Sequence, residues 1–174
     1  MKKFLTLLSG LLFLSFSAFA SYHPKGLYIL QYPVSMPNIS LISENNEPSP
    51  ILATSSDLTI FVFWSQSCYP CLKELKSLEK FKQKALKDNI NLVLVSPASE
   101  WKNSAEQRAF LQKYGAHSIS FFNDKDNALS LSLGIGSTPY TVIMDKNGKK
   151  VATIQGTTNW NASKLYKQIK SLKK

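Results

Sequence analysis

Two cysteines and two histidines are all the cysteine and histidine that this 174-residue chain holds for a zinc ion. A zinc site on Cys68 and Cys71 would need a second pair at similar spacing, and only His23 and His117 remain, so the usual zinc modules are excluded. Long apolar runs are scarce too. The one at residues 4–19 falls short of the roughly 20 residues of a membrane span and gives way to polar sequence. No internal repeat or low-complexity linker divides the chain. Acid is in the minority, with 11 Asp and Glu against 21 Lys and Arg and a net charge of +10. No nucleic-acid motif accompanies that charge. Its lysines, such as Lys73, Lys76 and Lys80 or Lys164, Lys167 and Lys170, alternate with apolar positions at helical period. They read as solvated helix faces and name no partner.

What is present begins with an export signature. Met1-Lys-Lys precedes the uncharged run, which ends in Ala18-Phe-Ala20, a small-residue cleavage pattern. Residues 1–20 are expected to be a secretory signal and residues 21–174 one domain. The alternative is an uncut anchor, residues 4–19, holding the domain to the outer face of a membrane. No cysteine follows the run, which excludes lipoprotein processing. Export places the chain where disulfides persist.

The informative stretch is Ile60-Phe-Val-Phe-Trp-Ser-Gln-Ser-Cys-Tyr-Pro-Cys71. It reads as a buried strand, a polar turn and two cysteines opening a helix. At a helix start, unpaired N–H groups and the positive dipole end favour thiolate at Cys68, the reactive form. Cys71, Leu75, Leu78, Phe81 and Ala85 recur at helical spacing, so the second sulfur belongs to the face that packs inward. One activated sulfur and one recessed sulfur can attack a disulfide and then resolve the mixed intermediate. A purely structural bridge closing so small a loop would add only about 2 kcal/mol.

Around this stretch the pattern is α/β. The apolar runs 58–64 and 91–95 suit strands covered on both faces, joined by a helix from Tyr69 to about Lys87 in a right-handed βαβ unit. In residues 21–37, Leu27-Tyr-Ile-Leu30 reads as a short strand, with Pro24, Pro33 and Pro37 breaking anything longer. Residues 38–42 and 50–52 read as a strand and its return. Ser104-Ala-Glu-Gln107 is a capping box opening a helix that ends at Gly115. A strand at 118–122 follows, with Asn123-Asp124 turning out of it, then a short helix at about 127–133. Residues 140–144 and 150–155 form a hairpin about Asp145-Lys-Asn-Gly148. The last helix carries Ala162, Leu165, Ile169 and Leu172 on one face. Pro139 sits just before a strand, where a cis Thr138–Pro139 bond is the sharper alternative to an ordinary turn proline.

From about Met36 onward the chain resembles the exported TlpA/ResA-type thiol–disulfide oxidoreductases, which have a thioredoxin-like fold: a mixed central β-sheet flanked by helices. The matching residues are Phe63-Trp64, Cys68-Tyr-Pro-Cys71, Glu74, the helix-and-strand insertion before the proline, Thr138-Pro139 and the following hairpin. The resemblance implies that Cys68 attacks, Cys71 resolves and Glu74 manages the proton at the buried cysteine. It implies a cis Pro139 beside the disulfide, with Thr138 offering its backbone to an extended substrate. Trp64, Tyr69 and Pro70 would join the substrate surface. Helical spacing agrees for Glu74, because i, i+3 puts it on the Cys71 side. The competing reading is an exposed first-turn glutamate complementing the helix dipole.

The same resemblance implies a reductase of protein disulfides, with apocytochrome c thiols or a copper-site assembly protein as substrates. A membrane electron donor would supply it, with no cofactor beyond the cysteine pair. Three departures stand out: Ser67 where relatives carry tryptophan, Lys76 where they carry a kinking proline, and Val62 where cytoplasmic thioredoxins bury an aspartate. Two other functions compete. A disulfide-donating oxidase of this fold would carry a helical domain before the proline, but about 40 residues are available against a usual domain minimum of about 50. A copper-binding assembly factor would use both thiolates and His117.

Overall fold

The computed structural model describes residues 26–173. The expected signal at residues 1–20, and His23, lie outside the described residues. Eight strands form one mixed sheet: β1 (Gly26–Ser35), β2 (Ser40–Ser43), β3 (Pro48–Pro50), β4 (Leu58–Phe63), β5 (Ile90–Pro97), β6 (Ser120–Asp124), β7 (Tyr140–Asp145) and β8 (Lys149–Gln155). Their order across the sheet is β1-β8-β7-β4-β5-β6-β2-β3. β5 runs parallel to both β4 and β6, and every other pairing is antiparallel. Four helices accompany it: α1 (Tyr69–Ala85), α2 (Ser104–Lys113), α3 (Ala128–Ser132) and α4 (Ser163–Lys170). Among the described residues no helix is long and apolar enough to cross a membrane.

All six residues of β4 are buried because the strand is central and covered on both faces. Leu58, Ile60, Val62 and Trp64 point to one side, where Leu75, Leu78 and Phe81 of α1 meet Leu111 of α2 and Leu165 and Ile169 of α4. Phe61 and Phe63 point to the other, joining Val93, Val95, Val142 and Leu129 of α3. The period of two in the strand thus divides the core into two layers.

Several local expectations need correction. β1 runs for ten residues straight through Pro33. It lies at the sheet edge, and its pairing with β8 shifts register between Ile29 and Val34, so the missing N–H breaks no ladder. β3 begins two residues earlier than expected. Helix α2 is capped by Asn103, whose side chain accepts the Glu106 N–H at 2.9 Å, so the box starts one residue before Ser104. Asn123 and Asp124 do not turn out of β6 but are its buried last residues. The Asp124 carboxylate accepts the backbone N–H groups of Leu129 and Ser130, both at 2.9 Å, and so starts α3 from the end of the strand.

Candidate active site

The loop after β4 brings the cysteines to the mouth of α1. Cys68 caps the helix, and its Sγ accepts the Cys71 N–H at 3.3 Å. Pro70 sits in the first turn, where its missing N–H has no helical partner to lose. The two sulfurs form a disulfide with Cα atoms 5.3 Å apart. Cys71 is 2% exposed, whereas Cys68 is only half-buried. The expected asymmetry between an outer and an inner sulfur is therefore present. Tyr69 stands out at 66% exposure with Lys73 Nζ over its ring. Ser67, just before Cys68, is exposed, and its hydroxyl lies 2.8 Å from that of Ser65.

Thr138–Pro139 is a cis peptide, as expected. Tyr140 pairs with Phe63, so Pro139 lies at the same end of the sheet as the cysteine loop. Pro139 is buried, and its carbonyl accepts the Gly156 N–H at 2.9 Å. Among the described residues no hydrogen bond occupies the backbone of Thr138.

Glu74 is 7% exposed, which overturns the reading of an exposed glutamate at the helix start. It shares the buried side of α1 with Cys71. One carboxylate oxygen accepts the Thr158 N–H at 2.6 Å. Burial pushes the Glu74 carboxyl above the ordinary glutamate value, while the Thr158 N–H and the nearby Trp160 indole pull it back. The Trp160 N–H itself stays outside hydrogen-bonding geometry. Glu74 is thus a buried carboxyl that holds its proton more readily than an ordinary glutamate, one helical turn from the recessed cysteine.

Trp64 does not offer an exposed face to a substrate. It is 1% exposed and packs against Trp101 and Phe110, with ring centroids 5.6 and 6.1 Å away. His117 is exposed, and the next residue, Ser118, is bonded to the Glu79 carboxylate. Glu79 is eight residues beyond Cys71 on α1, about 12 Å at 1.5 Å per residue, so His117 is not brought to the sulfurs. Among the described residues no group of three metal-ligating side chains occurs.

Two features were missed from sequence. Glu100 fastens the cysteine loop: its carboxylate accepts the Gln66 N–H and its carbonyl the Gln66 side-chain amide, both at 2.9 Å. Thr158 and Trp160, on the loop after β8, form the environment of Glu74. Neither had a local signal, because each partner is distant in sequence.

This sheet order, with a Cys-x-x-Cys pair capping α1 and a cis proline at the same sheet end, defines the thioredoxin-like class. The chain belongs to the thioredoxin-like family, whose model matches residues 56–150. Among individual proteins it is similar to the thioredoxin-like protein YneN of Bacillus subtilis, 29% identical over 112 residues, 64% of each chain. It is also similar to the thiol-disulfide oxidoreductase ResA of Geobacillus thermodenitrificans, 28% identical over 95 residues, 55% of this chain and 52% of that one. The chain thus spans about half to two thirds of these relatives' lengths. The crystal structure of StoA from Bacillus subtilis shares the fold, with a TM-score of 0.59 at 18% identity over 87% of this chain and 98% of that one.

Proposed function

We propose that this protein is an exported thiol–disulfide oxidoreductase that reduces disulfides in extracytoplasmic proteins. The observation that carries the reading is the unequal pair at the start of α1, an accessible Cys68 capping the helix and a recessed Cys71 behind it. The oxidoreductase name of ResA supports it, as do the signal pattern of residues 1–20 and the buried Glu74.

In the reduced protein the Cys68 thiolate attacks one sulfur of a substrate disulfide. A Cys68–substrate bond forms as the substrate bond breaks, and the departing thiolate takes a proton from solvent. Cys71 then passes its proton to Glu74 and attacks Cys68 Sγ. The Cys68–Cys71 bond forms, the second substrate thiolate leaves, and two electrons have moved to the substrate. The backbone of Thr138 holds the substrate strand, and Tyr69 and Pro70 flank it. The cysteine pair carries the electrons without a further cofactor. A membrane donor returns them, and the substrates are the haem-site cysteines of apocytochrome c in their disulfide form, or an oxidised copper-site assembly protein.

The test is the equilibrium reduction potential of Cys68–Cys71 in defined thiol buffers. A value near or below about −270 mV supports the reductase, and one near about −120 mV overturns it in favour of a disulfide donor.

A further inference from the structure

Composition alone names no partner for the lysines, but the fold distributes them unevenly. Residues 69–88, which are α1 and the turn after it, and residues 163–173, which begin with α4, carry ten Lys against three Asp and Glu. In the rest of residues 26–173 seven Lys and Arg meet eight Asp and Glu, so the positive excess belongs to these two segments. Their own acids do not offset it. Glu74 and Glu79 are buried, and Asp88 is paired with Lys170. Lys82 bonds the carbonyl and hydroxyl of Ser118, and Lys173 pairs with Asp57. That leaves Lys73, Lys76, Lys80, Lys84 and Lys87 on the first segment and Lys164 and Lys167 on the second. All are exposed, and none joins an ion pair among the described residues.

They share one surface. At about 100° per residue, Lys73, Lys76, Lys80 and Lys84 fall within about 80° of arc on α1. α4 lies against that helix on the same side of the sheet. Tyr166 packs on Phe81 with ring centroids 5.7 Å apart, and Lys84 Nζ stands 3.7 Å from the centre of the Tyr166 ring. The exposed sides of both helices therefore face away from the sheet together. Between them a cavity of about 140 Å³, lined by Lys80, Lys84, Asn161 and Tyr166, offers an anion two ammonium groups. α2, the third helix of this layer, adds an exposed Lys113 and Glu106, whose carboxylate accepts the Lys102 N–H.

Two observations say what this face meets. The first is that it has no apolar centre. Tyr69 and Leu86, at opposite ends, are the exposed large hydrophobics of α1 and its turn, and α4 has none. Protein interfaces have an apolar core and are depleted in lysine, so a face of lysine alone is unlike one. An anionic bilayer needs no such core and attracts each ammonium group near its surface. The second observation is where the chain enters. Gly26 and Leu27, at the start of β1, share an open depression with Lys164, Leu165 and Gln168 of α4. In the sequence only residues 20–25 separate that point from the apolar run, at most about 20 Å of chain. An uncut anchor would therefore hold the α4 end of the basic face to the bilayer.

We propose that the face formed by α1 and α4 is a docking surface for an anionic phospholipid bilayer, held by its lysines to headgroup phosphates. α1 then lies along the membrane. Cys68 caps its start, so the disulfide sits at the rim of the contact, open to partners at the membrane surface. The inference does not depend on the direction of thiol–disulfide exchange.

It is tested by co-sedimentation of the full chain with vesicles of phosphatidylcholine, alone or mixed with phosphatidylglycerol. Partition into the anionic vesicles should exceed partition into the neutral ones by ~100-fold or more, and the excess should vanish in high salt. The neutral vesicles report whatever the apolar run of residues 4–19 binds by itself. Lys80→Gln, Lys84→Gln and Lys164→Gln together should lower anionic binding ~100-fold, ~5-fold for each lysine. Lys80→Arg, Lys84→Arg and Lys164→Arg together should bind like the wild type. Lys102→Gln, Lys125→Gln and Lys146→Gln remove the same charge elsewhere and should lower binding less than ~3-fold, because screening weakens distant charges. Thermal unfolding followed by circular dichroism shows that each variant is folded. No preference for anionic vesicles, or equal losses from the two glutamine variants, would overturn the proposal. Unchanged vesicle binding by the first glutamine variant, with loss of binding to polyglutamate, would overturn it in favour of an acidic polypeptide.

Discussion

Glu74→Gln should make the protein more stable at neutral pH and leave it unchanged in acid. The ionised carboxylate gains one charge-assisted hydrogen bond from Thr158, about 1.5–3 kcal/mol. Against this stands the loss of hydration at 7% exposure, several kcal/mol for a buried ion. Burial is the larger influence, since the carboxyl is raised above its ordinary value. Glutamine keeps a carbonyl for the Thr158 N–H and removes the charge. Removing the charge should therefore raise stability at pH 7, each unit of the wild type's upward displacement being worth about 1.4 kcal/mol. Each 1 kcal/mol gained would appear as a rise of about 2–4 °C in Tm for a chain of this length. A carboxyl raised in the folded state contributes stability that is complete below its unfolded value, near pH 4.5, and is lost as pH rises through the folded value. The advantage of the variant should therefore open between about pH 4 and pH 7. Denaturant unfolding of the oxidised wild type and variant at four pH values in that range measures it, with other carboxylates cancelling in the difference. A pH-independent difference, or a variant less stable by more than about 1 kcal/mol at pH 7, would refute the reasoning.

Other perturbations probe the cysteines and the scaffold. Cys71→Ser should accumulate a mixed disulfide with substrate, visible as a dithiothreitol-sensitive adduct by mass spectrometry, and Cys68→Ser should form none. In the reduced wild type, brief alkylation followed by peptide mapping should label Cys68 ahead of the buried Cys71. Asp124→Ala removes three hydrogen bonds at the start of α3, from Leu129 N–H and from the N–H and hydroxyl of Ser130. Denaturant unfolding should show a loss of about 3 kcal/mol. Tyr166 is pushed up to about 12 by burial and by its hydrogen bond to Asp88. Ultraviolet titration should show Tyr166 ionising only near pH 12, and Tyr166→Phe should remove that late step. The stability linked to this phenol is complete below about pH 10 and disappears as pH passes about 12.

The strands and helices nearest the cysteines were legible because each carries its own periodicity. Residues 58–64 read as a strand covered on both faces, and Cys71, Leu75 and Leu78 marked the inner side of α1. The hairpin about Gly148 was equally local. What could not be read depended on partners far along the chain. Burial of Glu74 follows from the loop carrying Thr158 and Trp160, 84 and 86 residues away in sequence. The attachment of Gln66 to Glu100 spans 34 residues. Asp124 looked like a turn residue because polarity usually marks exposure. Here the carboxylate is buried and spent on the first N–H groups of α3. Pro33 was misread for a related reason. Its effect depends on whether its strand is central or at an edge, which is a property of the whole sheet.

The two outer strands of that sheet have a shared consequence. One margin is β1, which exposes Tyr28, Ile29, Tyr32 and Val34. Such a row invites an unfolded neighbour to add itself as a further strand. Pro33 interrupts the margin where its ladder is already out of register. The opposite margin, β3, is three residues long with proline at both ends. Neither side offers an uninterrupted row of N–H and C=O groups. A protein whose proposed work is to handle partly folded chains with open disulfides meets exposed strands continually. These two margins keep it from being built into their aggregates.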